Sequence, residues 1–236
     1  MSTAIPLDKV LVVIPAYNEE RNIGRVVRGV RERWPGLRLL VVDDGSTDDT
    51  HRIARENGAV VARLPFNLGI GVAVQTGIKY AREHDMQWLI RLDGDGQHNA
   101  ADIATFLEYL GRNEADLLIG SRFLKKDGYR SSLLRRVAIT FFNHLISALT
   151  GFRITDATSG FRLYSRRAMD KLCKFYPDDY PEPETIIMLY KWGMQVKEVP
   201  VTMLQRPEGV SSITAVRSLY YMIKVTMAIL LDMIRY

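Results

Sequence analysis

Two carboxylates one residue apart, Asp93 and Asp95, stand in the stretch Arg91-Leu92-Asp93-Gly94-Asp95-Gly96-Gln97-His98, directly after the apolar run Met86 to Ile90. A glycine follows each, so little side-chain bulk surrounds them. Like charges this close repel unless a cation sits beside them. Hard oxygen ligands favour Mg²⁺ or Mn²⁺, which usually share their coordination with substrate phosphates. If the apolar run is a strand, the pair lies at its C-terminal mouth, where open α/β sheets bind ligands. The pattern reads as a metal-diphosphate site, although taken alone a short Asp-Gly-Asp-Gly is equally a glycine-rich surface turn.

Two earlier strands are expected to end the same way. Lys9 to Ile14 is a continuous apolar run, as in a strand buried on both faces of a parallel sheet, and it stops at Pro15 before Ala16-Tyr17-Asn18-Glu19-Glu20. Leu37 to Val42 runs into Asp43-Asp44-Gly45-Ser46-Thr47-Asp48-Asp49-Thr50. Carboxylates on one sheet edge supply acceptors for base N–H groups and ribose hydroxyls. Here they equally suit helix capping, by Asp44 with Ser46 or Thr47, ahead of a helix carrying Ile53 and Ala54. Further along, Ala59 to Ala62 reads as a third strand, and Asn67-Leu68-Gly69-Ile70-Gly71 opens a helix through Val74, Gly77, Ile78 and Ala81. Met86 to Leu92 is the fourth strand, followed by a helix capped by Asn99 with Asp102 in its first turn; Asp116 to Gly120 is the fifth. This alternation predicts an α/β protein with a doubly wound, mostly parallel sheet and helices on both faces.

Beyond Ser121 the rhythm changes. Ser131 to Thr150 is helical by period, with Leu134, Val137, Phe141, Leu145 and Leu149 on one stripe, and Arg130, Arg135 and Arg136 crowd its start. Asp156 to Tyr164 reads as a polar loop entering a short strand, and Tyr180-Pro181-Glu182-Pro183-Glu184 as a rigid turn into a helix with Pro183 in its first turn. Gln195 to Thr202 is another strand, Arg206 to Ser212 a polar loop, and a helix closes the chain from about Thr214. We therefore expect one domain over residues 1–213 and a C-terminal helix over 214–236.

At 236 residues with net charge +5, the chain can bury one sizeable core. Its charge is divided: residues 1–120 hold 14 Lys and Arg against 17 Asp and Glu, whereas residues 121–236 hold 18 against 10. The basic half suits an anionic partner such as a phosphorylated substrate or a membrane surface, or is a solvated basic face. No nucleic-acid motif is found, so no nucleic-acid partner is expected. A single cysteine, Cys173, excludes an internal disulfide framework, and the four histidines show no zinc spacing. His98 alone, next to the acidic turn, could touch a phosphate. No secretory leader is seen, and no run reaches the ~20 apolar residues that span a bilayer.

The motifs Pro-Ala-Tyr-Asn-Glu, Val-Asp-Asp-Gly-Ser-Thr-Asp, Asn-Leu-Gly-Ile-Gly and Asp-Gly-Asp-Gly-Gln-His, in this order and spacing, resemble those of family 2 glycosyltransferases of the GT-A fold. Gly120-Ser121-Arg122, Asp156 to Arg162 and Val199 to Ser212 extend the resemblance to the dolichol- and polyprenol-phosphate sugar synthases over nearly the whole chain. The resemblance implies a nucleotide-diphospho-sugar site at Pro15, Tyr17, Glu19, Asp43, Asp44, Asn67, Gly71, Asp93, Gly94 and Asp95. It also implies a Mg²⁺ or Mn²⁺ site at Asp93, Asp95 and Gln97. Asp156 and Glu184 become the catalytic candidates, Glu184 being equally a helix-dipole acid. Arg122, Arg130, Arg135, Arg136, Arg162 and Ser212 become the residues for an acceptor phosphate. Processive relatives carry Gln-x-x-Arg-Trp where this chain has Leu204-Gln205-Arg206-Pro207-Glu208-Gly209, which implies transfer of a single sugar.

The expected activity is inverting transfer of one sugar to a polyprenol-phosphate or lipid-linked acceptor at the cytoplasmic face of a membrane. Addition to a growing surface polysaccharide is the alternative, and a nucleotide-binding module without catalysis is the rival from another class. A nucleotidyltransferase would carry a glycine-rich loop after the first strand, where this chain has Pro15-Ala16-Tyr17-Asn18. The closing helix is apolar beyond one face, with Leu219, Met222, Ile223, Met227, Leu230 and Ile234 on one stripe. It is expected to meet a membrane surface or a small membrane-protein partner, or else the chain's own core or a second copy of the chain.

Overall fold

The computed structural model describes residues 6–110, 115–125, 133–178, 181–204 and 215–235. In chain order the elements are β1 (Val10–Ala16), α1 (Glu20–Arg33), β2 (Arg38–Asp43), α2 (Thr50–Glu56), β3 (Val60–Arg63), α3 (Ile70–Glu83) and β4 (Trp88–Arg91). A single 3₁₀ turn, Ala100–Asp102, then leads into α4 (Ile103–Leu110). The second half contributes β5 (Leu117–Ser121), α5 (Leu133–Thr150), β6 (Arg162–Ser165), α6 (Arg166–Leu172), α7 (Pro181–Lys191), β7 (Val196–Pro200) and α8 (Ala215–Arg235).

The seven strands form one sheet in the order β3-β2-β1-β4-β6-β5-β7. β1 is central among the first four strands and buried at every residue, which is why its sequence is a continuous apolar run rather than an alternating one. The sheet divides its side chains by parity. Leu11, Val13, Leu40, Val42 and Leu89 face a core built with α3, α5, α6, α7 and α8, while Val12, Ile14, Leu39, Val41 and Ile90 face a second core with α1, α2 and α4. This is the doubly wound α/β arrangement expected from the sequence.

Two features depart from the sequence reading. β6 runs antiparallel to both β4 and β5, so the sheet is parallel except for one internal strand. Short apolar runs carry no direction, and the long excursion through α5 delivers the chain to the ligand edge before β6 begins. α6, the helical segment that ends at Cys173, is a seven-residue helix that Ser165 caps by accepting from the Ala168 N–H. On α5 the buried apolar residues are Ile139, Phe142 and Ile146, whereas Val137 and Phe141 of the expected stripe are exposed. Leu145 and Leu149 of the same stripe are partly buried and pack against the core, so the stripe turns from solvent to core along the helix.

Helix capping also differs. α2 starts at Thr50, whose N–H and hydroxyl both donate to Asp48 Oδ1, so neither Ser46 nor Thr47 is its cap. Asn99 caps as expected, accepting from the Ala101 N–H.

Candidate active site

The loops after β1, β2 and β4 meet at the C-terminal edge of the sheet. Asn18 adopts a left-handed backbone conformation (φ 53°), which asparagine tolerates better than most residues, and its Oδ1 accepts from the Thr47 N–H at 2.9 Å. The Asn18 N–H donates to Ser46 Oγ and the Glu19 N–H to Thr50 Oγ1. The first two polar clusters are thereby laced into one surface. Tyr17 stands exposed beside it, and Glu19 accepts from Asn22 Nδ2 at 2.8 Å.

Asp43 is fully buried. Its Oδ1 accepts from the Ser46 N–H at 3.0 Å, and Oδ2 lies 3.2 Å from Arg63 Nε without forming a hydrogen bond. Asp44 is nearly as buried, with Oδ1 accepting from the Leu68 N–H at 2.8 Å and Oδ2 from the Gly69 N–H at 2.9 Å. It holds the loop that enters α3 instead of presenting a free carboxylate to a nucleotide. Gly71 is likewise covered: a Cβ there would lie 2.1 Å from the Pro177 carbonyl oxygen, and its N–H already donates to Asp178 O. Its small size admits the 177–178 backbone and does not open a nucleotide pocket. Asn67 remains exposed, with its Oδ1 accepting from the Gly69 N–H.

Asp93 and Asp95 follow β4 and are each partly exposed, while Gly94 between them is buried under the end of β1. Asp93 Oδ1 accepts from Arg91 Nη2 at 3.1 Å, and Arg91 Nη1 donates to Glu182 Oε1 at 2.6 Å. Burial alone would push the Asp93 carboxyl up, but the Arg91 guanidinium, with Arg122 behind it, outweighs this and holds the pKa below the usual range. His98 is buried, accepts the Asp93 N–H on Nδ1 at 3.1 Å and stacks on Phe161 with ring centroids 4.9 Å apart. Burial lowers its pKa, which favours the neutral ring, and the imidazole braces the turn. Asp95 Oδ1 accepts from the Gln97 N–H, which folds the turn back on itself.

Among the described residues no group of three His, Cys, Asp or Glu side chains stands ready to hold a metal. Two partly exposed carboxylates with an amide side chain at Gln97 do suit a hard cation that completes its coordination on a diphosphate. Gly160 packs directly against Asp93, since a Cβ there would lie 2.6 Å from Oδ2.

Asp156 has no exposed surface, and Arg122 closes on it as a fork: Nε to Oδ2 and Nη2 to Oδ1, both at 2.6 Å. The Arg122 N–H adds a third bond at 3.1 Å. In this arrangement both Asp156 oxygens are taken up by Arg122, so the carboxylate orients that arginine. Its loop is pinned from two sides. Glu198 of β7 accepts from the Thr155 and Asp156 N–H groups, its own pKa raised by burial, and Asn143 of α5 accepts from the Ala157 N–H while donating to Thr155 O. Arg162, expected at an acceptor phosphate, is fully buried beneath this loop and donates to Ser159 O and Ala157 O. It shapes the loop from below and cannot reach an acceptor.

Glu184 lies in the first turn of α7, as the helix-dipole reading holds, but the carboxylate of that turn joined to Arg91 is Glu182. Arg91 and Glu182 are therefore site residues that the sequence reading missed. An arginine inside a strand otherwise buried and apolar is the signal that could have found them, because a buried cation needs an anionic partner. Arg136 is exposed near the start of α5. Arg130 and Ser212, and the side chain of Arg135, lie outside the described residues.

Residues 11–173 match the family described as glycosyl transferase family 2. The chain is 30% identical to a polyprenol monophosphomannose synthase of Mycolicibacterium smegmatis, over 90% of this chain and 84% of the relative. It is 34% identical to an uncharacterized protein of Methanocaldococcus jannaschii, over 92% of this chain and 91% of that one. Among solved structures, the glucosyl-3-phosphoglycerate synthase of Mycobacterium tuberculosis with Mn²⁺, UDP and glucosyl-3-phosphoglycerate superposes with TM-score 0.71 at 22% identity, covering 95% of this chain and 79% of that one. At that identity the likeness shows a shared fold.

Proposed function

The chain belongs to glycosyl transferase family 2, and we propose that it moves one sugar, with inversion, from a nucleotide-diphospho-sugar to a polyprenol phosphate. The observation that carries this reading is the open pair Asp93 and Asp95 at the end of β4, in a chain that matches a polyprenol-phosphate sugar synthase along nearly all its length. Asp93, Asp95 and Gln97 would hold Mg²⁺ or Mn²⁺ against the diphosphate. Such a cation, when bound, offsets the charge that develops on the departing diphosphate. Tyr17 and Glu19 would line the nucleotide side above buried Pro15 and Asp43, and Gly94 lets β1 and the acidic turn meet.

The state of Asp156 bears on the acceptor. A sugar hydroxyl attacking the anomeric carbon must give up its proton to a base, whereas a lipid phosphate arrives already ionised. With Asp156 closed by Arg122, the site favours the acceptor that needs no base. Arg136, exposed on α5 as Val137 and Phe141 are, would meet a phosphate at an apolar boundary.

Membrane contact is peripheral in this reading. No helix among the described residues is long and apolar enough to cross a bilayer. α8 buries Val225 and Ile229 but exposes Ile223, Met227, Leu230, Leu231 and Ile234, so its outer side is apolar. With the basic second half, that side suits the cytoplasmic surface of an anionic membrane, where the acceptor resides.

The test is an assay of UDP- and GDP-sugars with a polyprenyl phosphate, with Mn²⁺ or with excess chelator, the lipid product being weighed by mass spectrometry. One added sugar, lost on chelation, is expected. Transfer that survives chelation, or that occurs only to a water-soluble acceptor, rejects the reading.

A further inference from the structure

Arg91 is a cation set into the sheet with only 3% of its side chain exposed, in the last residue of β4. Its Nε has no partner, so the two Nη groups carry its interactions: one to Asp93 Oδ1 at 3.1 Å, the other to Glu182 Oε1 at 2.6 Å. Glu182 is 16% exposed and belongs to the first turn of α7, a helix 91 residues away in sequence. The opposite side of the pair is closed by Gly160, at the entry to β6, where a Cβ would come within 3.0 Å of Arg91 Nη2 and 2.6–2.8 Å of both Asp93 oxygens. Three distant parts of the chain thus converge on one carboxylate of the metal pair.

We propose that Glu182 and Arg91 are positioning residues for Asp93. Arg91 pairs with the Asp93 carboxylate from the protein side and competes with a cation for its charge, and Glu182 shares the Arg91 charge so that it does not hold Asp93 too strongly to leave it available to a cation. The inference rests on the metal-diphosphate reading of the site and deepens it, since it makes the start of α7 part of what sets cation affinity. Neither residue touches the reacting atoms. Partners behind metal ligands commonly change affinity by about 10–100-fold when altered.

The experiment measures Mn²⁺ binding to the full chain by electron paramagnetic resonance, with UDP or GDP present, in the intact protein and in Glu182→Gln. The amide keeps the shape of the side chain but leaves Arg91 with Asp93 as its one charged partner here. The Mn²⁺ dissociation constant is expected to rise about tenfold, with the thermal midpoint and circular dichroism spectrum showing a folded protein. Adding Arg91→Gln to Glu182→Gln removes the competing charge and should recover part of the Mn²⁺ affinity, which a merely structural pair would not do. If Glu182→Gln fails to fold, Glu182→Asp is measured in its place, with the same weakening expected from the retracted charge. An unchanged constant in a folded variant, or a double variant weaker than the single one, overturns the proposal. An intact protein that binds Mn²⁺ but transfers no sugar to a polyprenyl phosphate overturns the functional reading instead and leaves this one standing.

Discussion

β2 and β4 flank β1 and both run out into acid-glycine sequences on the same edge of the sheet, Asp43-Asp44-Gly45 after one and Asp93-Gly94-Asp95 after the other. At β2 the two carboxylates are buried and occupied by the N–H groups of Ser46, Leu68 and Gly69. At β4 they stay partly exposed, and one is balanced by Arg91. The neighbouring strands account for the difference. β2 pairs with a parallel β3 that also ends at this edge, so its outgoing loop, Leu64 to Gly69, folds over the β2 end and satisfies Asp44. β4 pairs on its other side with the antiparallel β6, which begins at this edge, and the incoming residue beside Asp93 is Gly160. The internal antiparallel strand thus replaces a covering loop with a glycine backbone packed on one side of Asp93, and both acids stay partly exposed. One pair becomes the floor of the site, while the other is left for a ligand.

The largest effect that would test this contrast is loss of activity at the open end. Asp95→Asn should lower sugar transfer by about 10²-fold or more, because a cation-bearing carboxylate is lost where charge develops. Its thermal midpoint should hardly change, since replacing one of two repelling, partly exposed acids removes no buried bond. Equal activity in the variant would place the cation elsewhere. At the closed end the opposite pattern is expected. Asp44→Asn leaves one acceptor oxygen for two backbone N–H groups, and an unsatisfied buried donor costs about 1–3 kcal/mol. At about 2–4 °C per kcal/mol for a chain of this size, the midpoint should fall by several degrees. Transfer per folded molecule should persist at low temperature. A variant that melts normally yet no longer binds donor would make Asp44 a ligand contact and erase the distinction between the two strand ends.

Much of this was legible in the sequence because the first half obeys local rules. The apolar runs of β1 and β2, the glycine-rich openings of helices and the Asn99 cap all appear in the structure at the expected places. The acidic turn after β4 was legible as a site because glycines between acids signal exposure. What could not be read was whether an acid is spent. Asp44 and Asp156 look as available in sequence as Asp95, yet the groups that occupy them, Leu68 and Gly69 in one case and Arg122 in the other, are chosen by tertiary contacts 24 to 34 residues away. The same holds for Arg162, whose charge suggested a phosphate and whose burial makes it a support for its own loop. Strand direction at β6 was beyond periodicity as well, since an alternating or apolar pattern is the same read in either sense.

The smallest expected effect concerns what keeps Asp43 closed. Its nearest cation is Arg63, at the last residue of β3, with Nε 3.2 Å from Oδ2; the arginine side chain is 49% exposed while the aspartate has no exposure. Two accounts of the closed end differ here. If the ion pair neutralises the buried acid, removing Arg63 leaves an uncompensated charge, with a cost of several kcal/mol. If backbone donors do so, the partner is a solvated arginine whose contribution is about 1 kcal/mol or less. The geometry favours the second. The Ser46 N–H already bonds Oδ1, the Arg63 contact to Oδ2 is not aligned as a hydrogen bond, and Arg63 Nη2 spends itself on Ser46 O. Arg63→Gln should therefore lower the thermal midpoint by no more than about 4 °C and leave transfer at the open end unaltered. A drop much larger than this would mean that the β2 acids, like Asp93 at the β4 end, are held by an arginine, and that the two strand ends differ in access alone.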